Sequence, residues 1–292
     1  MLKLLSFIFV VGCLFPLFAN PYWLRIASSA LLLSSLSYAH NLLFYFLGYP
    51  AFGGIAFLGL GAYTFSFLYS KGFPLIPSLL LSMLIPSLSA LVLLPIMLRL
   101  KSHYFAISTL ALQVMLMELV ENIELFGGTK GYALNLSHHA NIIAYYLFLL
   151  ALLGLFLFVI LLERSVFGRT LKAIKEDETA SLTLGINPMP YKLLMLLLMG
   201  MSLGFLGGAF SIWSAYIDAS TVFNPILSVK TFFVLILSLN SPIYGPFLWS
   251  LFFEMFFETL WSNFPQMHGI LLGLGIMLLI LAFPRGLKWK KS

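Results

Sequence analysis

Residues 141–162 read NIIAYYLFLLALLGLFLFVILL, and residues 163–188 continue ERSVFGRTLKAIKEDETASLTLGINP. The first stretch carries no charged side chain, and about 20 consecutive apolar residues suffice for a helix to cross a bilayer. The second stretch gathers Glu163, Arg164, Arg169, Lys172, Lys175, Glu176, Asp177 and Glu178 within one turn of sequence after another. A crossing helix that delivers the chain into a charged, water-facing loop is therefore the unit from which the rest is read.

The whole chain repeats the first half of that unit. Of 292 residues, 61% are hydrophobic and only 9% charged, with a mean hydropathy of +1.02. Soluble domains carry roughly 25% charged residues, so a water-exposed surface cannot be made from this composition. The apolar runs are continuous rather than alternating, which excludes a β-barrel. The composition predicts an all-α, polytopic membrane helical bundle: one domain over 1–292 with about ten segments, and eight to ten as the range. They fall near 4–19, 23–47, 51–70, 75–98, 104–125, 141–162, 191–215, 227–240, 243–262 and 267–284. Segment 51–70 begins Gly-rich and is expected to be partly broken. Segment 227–240 is short and ends in Asn240-Ser241-Pro242, which predicts a re-entrant piece or a turn into its successor.

Charge placement orients this map. With the N-terminus in the cytoplasm, Lys3, Arg99, Lys101, Arg164, Arg169, Lys172, Lys175, Lys192, Arg285, Lys288, Lys290 and Lys291 fall on the inner side. Arg25, Lys71, Lys130 and Lys230 fall on the other. This is the positive-inside bias, and it predicts cytoplasmic termini. The net charge of +6 is then orientation, not a nucleic-acid footprint. Lys3 and the apolar run after it resemble a signal peptide, but Phe18-Ala19-Asn20 is a poor cleavage site, so an uncleaved first span is expected. A lone Cys13 offers no disulfide, and His40, His103, His138, His139 and His268 show no metal-ligand spacing. No metal site is expected.

The loop 163–190 is nearly charge-balanced, unlike a short topogenic loop. Its spacing predicts helix from Phe167 through Leu184, stopped by Gly185 before Pro188. Ala180, Leu182, Leu184 and Ile186 form an apolar set just past the acids. An amphipathic helix on the water side reads as a docking element for a soluble partner.

The same residues carry a resemblance. Glu178-x-Ala180, with Gly185 and then Ile186-Asn187-Pro188, resembles the cytoplasmic EAA loop of ABC importer permeases. Phe167-Gly168-Arg169-x-Leu171-x-Ala173-Ile174-x-x-Asp177-Glu178 is similar to the branched-chain amino acid permease family of the LivM type. So are Leu58-Gly59-Leu60-Gly61-Ala62-Tyr63-Thr64, Tyr104-Phe105-Ala106-Ile107-x-Thr109-Leu110, Phe126-Gly127-Gly128-Thr129-x-Gly131 and Phe283-Pro284-Arg285-Gly286-Leu287. Where the family usually has a Gly-His pair, this chain has Gly53-Gly54. Where it has a Gly-Gly-x-Gly turn before its ninth segment, this chain has Ser238-Leu239-Asn240-Ser241.

The resemblance implies a permease subunit of an ATP-driven importer in a bacterial or archaeal cytoplasmic (inner) membrane. Its cargo would be an amino acid, foremost Leu, Ile or Val. Implied partners are a homologous, LivH-like permease chain, two ABC ATPase subunits and an extracytoplasmic solute-binding protein. No phosphate loop occurs in the chain, so ATP and Mg would belong to the partner ATPase, and this chain is not expected to be an enzyme. Gly168, Arg169, Asp177, Glu178, Ala180, Gly185, Ile186 and Asn187 would form the coupling element. Gly53, Gly54, Gly59, Gly61, Thr109, Gln113 and Glu118 are the candidates for the substrate path. Gly200, Gly204 and Gly208 read as a flat packing strip, as do Gly269 and Gly273. Glu118, Glu121, Glu124, Asp218, Glu254 and Glu258 fall toward the outer half. An ABC permease for urea or short amides is one alternative, and an ion-coupled secondary transporter with Glu118 as its nearest intramembrane acid is another.

Overall fold

A computed structural model describes residues 2–98, 100, 102–123, 127–136, 139–239, 241–263, 273 and 277. It runs α1 (Leu2–Phe18), α2 (Pro21–Leu47), α3 (Ile55–Ser70), α4 (Leu75–Met97), α5 (Ser102–Asn122) and α6 (Ala140–Arg164). Then follow α7 (Val166–Glu176), α8 (Glu178–Thr183), α9 (Pro188–Ser214), α10 (Ala219–Val222), α11 (Pro225–Leu237) and α12 (Gly245–Asn263). Strands β1 (Tyr132–Ala133) and β2 (Tyr216–Ile217) pair antiparallel, Tyr132 opposite Ile217, at the end of the bundle away from α7 and α8.

Seven helical stretches among the described residues are long and apolar enough to cross a membrane. The sequence reading placed about ten. Of the other three, 4–19 forms α1, which has 17 residues, 243–262 forms α12, and 267–284 lies outside the described residues except for 273 and 277, as does the whole closing motif 283–287. The short segment 227–240 meets its successor at a turn, as its length suggested. α11 has only 13 residues, about 20 Å of rise, and the turn lodges against the middle of α2. There Tyr38 donates to the Ile243 carbonyl at 2.5 Å, and the turn's Gly245 sits where an added Cβ would lie 2.5 Å from Ser238.

α2 is the axis of the bundle and is buried on every side, packing on α6, α9, α11 and α12. Its polar residues need partners there. Ser28, Ser35 and Ser37 donate to the carbonyls of Leu24, Leu31 and Leu33. α9 packs on α3 and α4 through its glycines. A Cβ on Gly204 would lie 2.2 Å from the Ser82 carbonyl, and one on Gly200 2.9 Å from the Ser87 Cα. The flat strip brings backbones into contact, which is how membrane helices associate where water exclusion cannot drive them.

Candidate functional site

The charged loop folds as two helices rather than one. Ser165 caps α7 by accepting from the Gly168 amide at 2.9 Å, and α7 turns Leu171 and Ile174 inward. Asp177 then leaves the helical region (φ −156°, ψ 111°) and starts a new helix. Its carboxylate accepts from the amides of Thr179 and Ala180 at 2.8 and 3.0 Å. The continuous helix expected over 167–184 gives way here because the short carboxylate satisfies the first amides of α8 better than a helical backbone would. The backbone N–H groups of Ala180 and Thr179 hold the Asp177 carboxyl below its ordinary range.

α8 ends as the sequence asked. Gly185 adopts φ +81° and donates to Leu182, while Ile186 donates to Ser181, both at 3.0 Å. This paired closure favours glycine for its backbone, not for space. Asn187 then caps α9 by accepting from the Met189 amide at 3.1 Å, so Pro188 opens the next helix. The tip that results leaves large apolar side chains in the open. Val166 is 70% exposed, Leu182 56% and Leu184 78%. Arg169, Asp177 and Ala180 are exposed beside them.

Two other members of the predicted coupling set point inward. Gly168 is buried, and a Cβ there would lie 1.9 Å from the Leu162 carbonyl. Glu178, in the first turn of α8, forms an ion pair with Lys192 of α9. The Tyr49 hydroxyl donates to Glu178 at 2.8 Å and receives Lys192 Nζ at 2.9 Å. Burial pushes Tyr49 above its ordinary range, more than the lysine beside it pulls it down. One helical turn earlier a second clamp repeats the pattern. Lys172 of α7 pairs with Glu163 at 2.5 Å, Tyr45 donates to the same carboxylate at 3.4 Å, and Lys175 donates to the Tyr45 carbonyl at 3.0 Å. Burial pulls Lys172 down, but its bond to Glu163, together with Tyr45 and the carboxylate's charge, outweighs that and leaves it raised. The two-helix loop is thus fastened to the end of α2 by two Lys–Tyr–Glu groups.

The Tyr49 clamp leads directly to the glycine-rich break. Four residues after Tyr49, Gly53 lies in a 3-10 turn (Phe52–Gly54) ahead of α3. Its amide donates to Thr109 Oγ1 at 3.2 Å, and a Cβ there would lie 1.7 Å from the Thr109 carbonyl. The Tyr49 ring packs edge-on against Phe105, one turn before Thr109 on α5. One turn beyond, Gln113 holds another irregular place, the break between α10 and α11. It donates to the Phe223 carbonyl at 2.8 Å and accepts from Ser228 at 2.9 Å. Gly59 makes room for the Phe223 ring. The space beside Gly54 is filled by an imidazole, His40 of α2, whose buried Nε2 has no hydrogen-bond partner among the described residues.

Of the predicted path residues, Gly53, Gly54, Gly59, Thr109 and Gln113 therefore come together. Gly61 instead meets Gly204 of α9, and Glu118 lies on the exposed face of α5. Sequence reasoning missed Tyr45, Tyr49 and His40, and it counted Glu163, Lys172 and Lys192 only as charges. The available signal was two tyrosines four apart around Gly48, which caps α2 at φ +77°.

The architecture defines a multi-pass helical membrane protein with a clamped, amphipathic two-helix loop at one end. Residues 22–281 match the family profile described as the permease component of the branched-chain amino acid transport system. The chain belongs to that family and is an ABC-type permease, a class of membrane subunit that is in general not an enzyme. No curated protein and no solved structure matches it.

Proposed function

We propose that this permease forms half of a translocation pore for amino acids, foremost the branched-chain ones, and that a separate ATPase drives it by docking on the α7–α8 tip. The observation that carries the docking site is the exposed Val166, Leu182 and Leu184 on a water-facing element. Apolar residues grouped in this way mark a surface that another protein covers. In this reading the α7–α8 end and the termini are cytoplasmic, and a solute-binding protein delivers cargo to the β1–β2 end.

Force applied to α8 has a short route inward. Glu178, Lys192 and Tyr49 act as one hydrogen-bonded unit, and Tyr49 abuts the helix that receives Gly53. A tilt of α8 therefore shifts the 3-10 turn against Thr109. The face of α5 bearing Tyr104, Ile107, Val114 and Glu118 is exposed. A carboxylate on a crossing helix avoids lipid, so this face is assigned to the pore shared with the homologous permease, where Glu118 attracts the cargo's ammonium group.

The test is purification of the tagged chain from its native membrane, with partners identified by mass spectrometry. A P-loop ATPase should accompany the parent and be lost from L182D/L184D, whose membrane insertion is unchanged. Retention of the ATPase by that variant would remove the docking site.

A further inference from the structure

At the β1–β2 end, a cavity of ≈ 640 Å³ opens between α2, α9, α11 and α12. It reaches from Tyr22 to Leu32 of α2, about 15 Å at ~1.5 Å per residue. Its walls carry both signs of charge. Arg25 comes from α2, Lys230 from α11, and Glu254 and Glu258 from α12. Ionisable groups at this depth are costly and mark a functional site when they converge.

These charges are not closed on one another. Lys230 and Glu254, 14% and 12% exposed, stand 3.9 Å apart, beyond the 2.7–2.9 Å of a charge-assisted hydrogen bond. Lys230 Nζ lies instead over the Phe257 ring, 3.5 Å from its centroid. Arg25 lies over Trp213 at 5.3 Å. Each cation is thus steadied by an aromatic face, which leaves room beside it for an anion. The two carboxylates, four apart on α12, share one face. A second groove of ≈ 520 Å³, almost wholly apolar, runs beside the first and shares Ile26 with it.

We propose that this cavity is a binding site for a zwitterion that carries an ammonium and an oxyanion a few bonds apart. The ammonium lies between Glu254 and Glu258, and the oxyanion meets Lys230 and Arg25. The cavity holds two positive and two negative groups, so a neutral ligand with separated charges completes it without leaving a net charge buried. The same chemistry has two sources, a free amino acid and an aminophospholipid headgroup whose chain would lie in the neighbouring apolar groove. The site sits at the opposite end from the docking tip and does not depend on an ATPase.

The test uses the full chain in nanodiscs of phosphatidylglycerol, with radiolabelled leucine as the probe, and a parallel preparation containing phosphatidylethanolamine. Saturable leucine binding, weakened about tenfold or more in R25Q and in E258Q, identifies a free solute. No leucine binding, but phosphatidylethanolamine retained through purification by the parent and lost from both variants, identifies the headgroup. Both substitutions lie at the mouth, and a monodisperse elution profile checks that each variant folds. Absence of both ligands from the parent, or equal binding by parent and variants, overturns the proposal.

Discussion

The two ends of the bundle use the same side chains differently. At the α7–α8 end, Lys192, Glu178 and Tyr49 close within hydrogen-bonding distance, and Lys172, Glu163 and Tyr45 do the same. At the β1–β2 end, Lys230 and Glu254 stay apart over an aromatic ring. A closed group turns its opposite charges on one another and is suited to holding one element against another. An open one keeps its opposite charges apart and is suited to receiving something.

The most severe way to break this contrast is Glu178→Lys. It sets two cations against each other beside Tyr49, and uptake is expected to fall to background while membrane insertion persists. Uptake assays with quantified membrane levels check it. Lys192→Met is next. It leaves Glu178 without its buried partner, and thermal unfolding should report a loss on the order of 2 kcal/mol. That is below the range for a fully buried pair because Glu178 is partly exposed. Gly185→Ala is smaller, about 1 kcal/mol, since its strain comes only from the left-handed backbone; hydrogen exchange across 178–186 should rise there and nowhere else.

A pH dependence follows at Asp177. Its carboxyl is depressed in the folded state by the amides it accepts from. The cap therefore contributes fully above the unfolded value of about 3.9 and is lost as pH falls through the lower folded value. Exchange at Thr179 and Ala180, corrected for its intrinsic pH dependence, should rise on acidification, and Asp177→Asn should abolish that change. The smallest effect belongs to the open end. Arg25→Gln should leave stability within about 0.5 kcal/mol of the parent, because exposed Arg25 closes no ion pair among the described residues; a melting curve decides.

Sequence reading located these features unevenly. The bundle was legible because crossing a bilayer demands about 20 apolar residues in a row, as in 141–162. Gly185 was legible because a helix stop leaves a local signature. Asp177 was misread within a continuous helix because a capping carboxylate and a helical one look alike in sequence. The clamps were illegible for another reason: Tyr49 and Lys192 are 143 positions apart, and only tertiary packing joins them. Gln113 drew attention as a path residue, yet its amide is engaged by Phe223 and Ser228, a role fixed by where α10 breaks.

The central claim is that the Tyr49 clamp transmits docking to the Gly53 turn. Its most direct measurement compares ATP hydrolysis with amino-acid uptake in proteoliposomes of the purified complex, for the parent and for Tyr49→Phe. The account predicts that hydrolysis persists while uptake falls several-fold, because the ATPase still docks on Leu182 and Leu184 but no longer moves the turn. Equal uptake by parent and variant, or a parallel fall of hydrolysis and uptake, would contradict it.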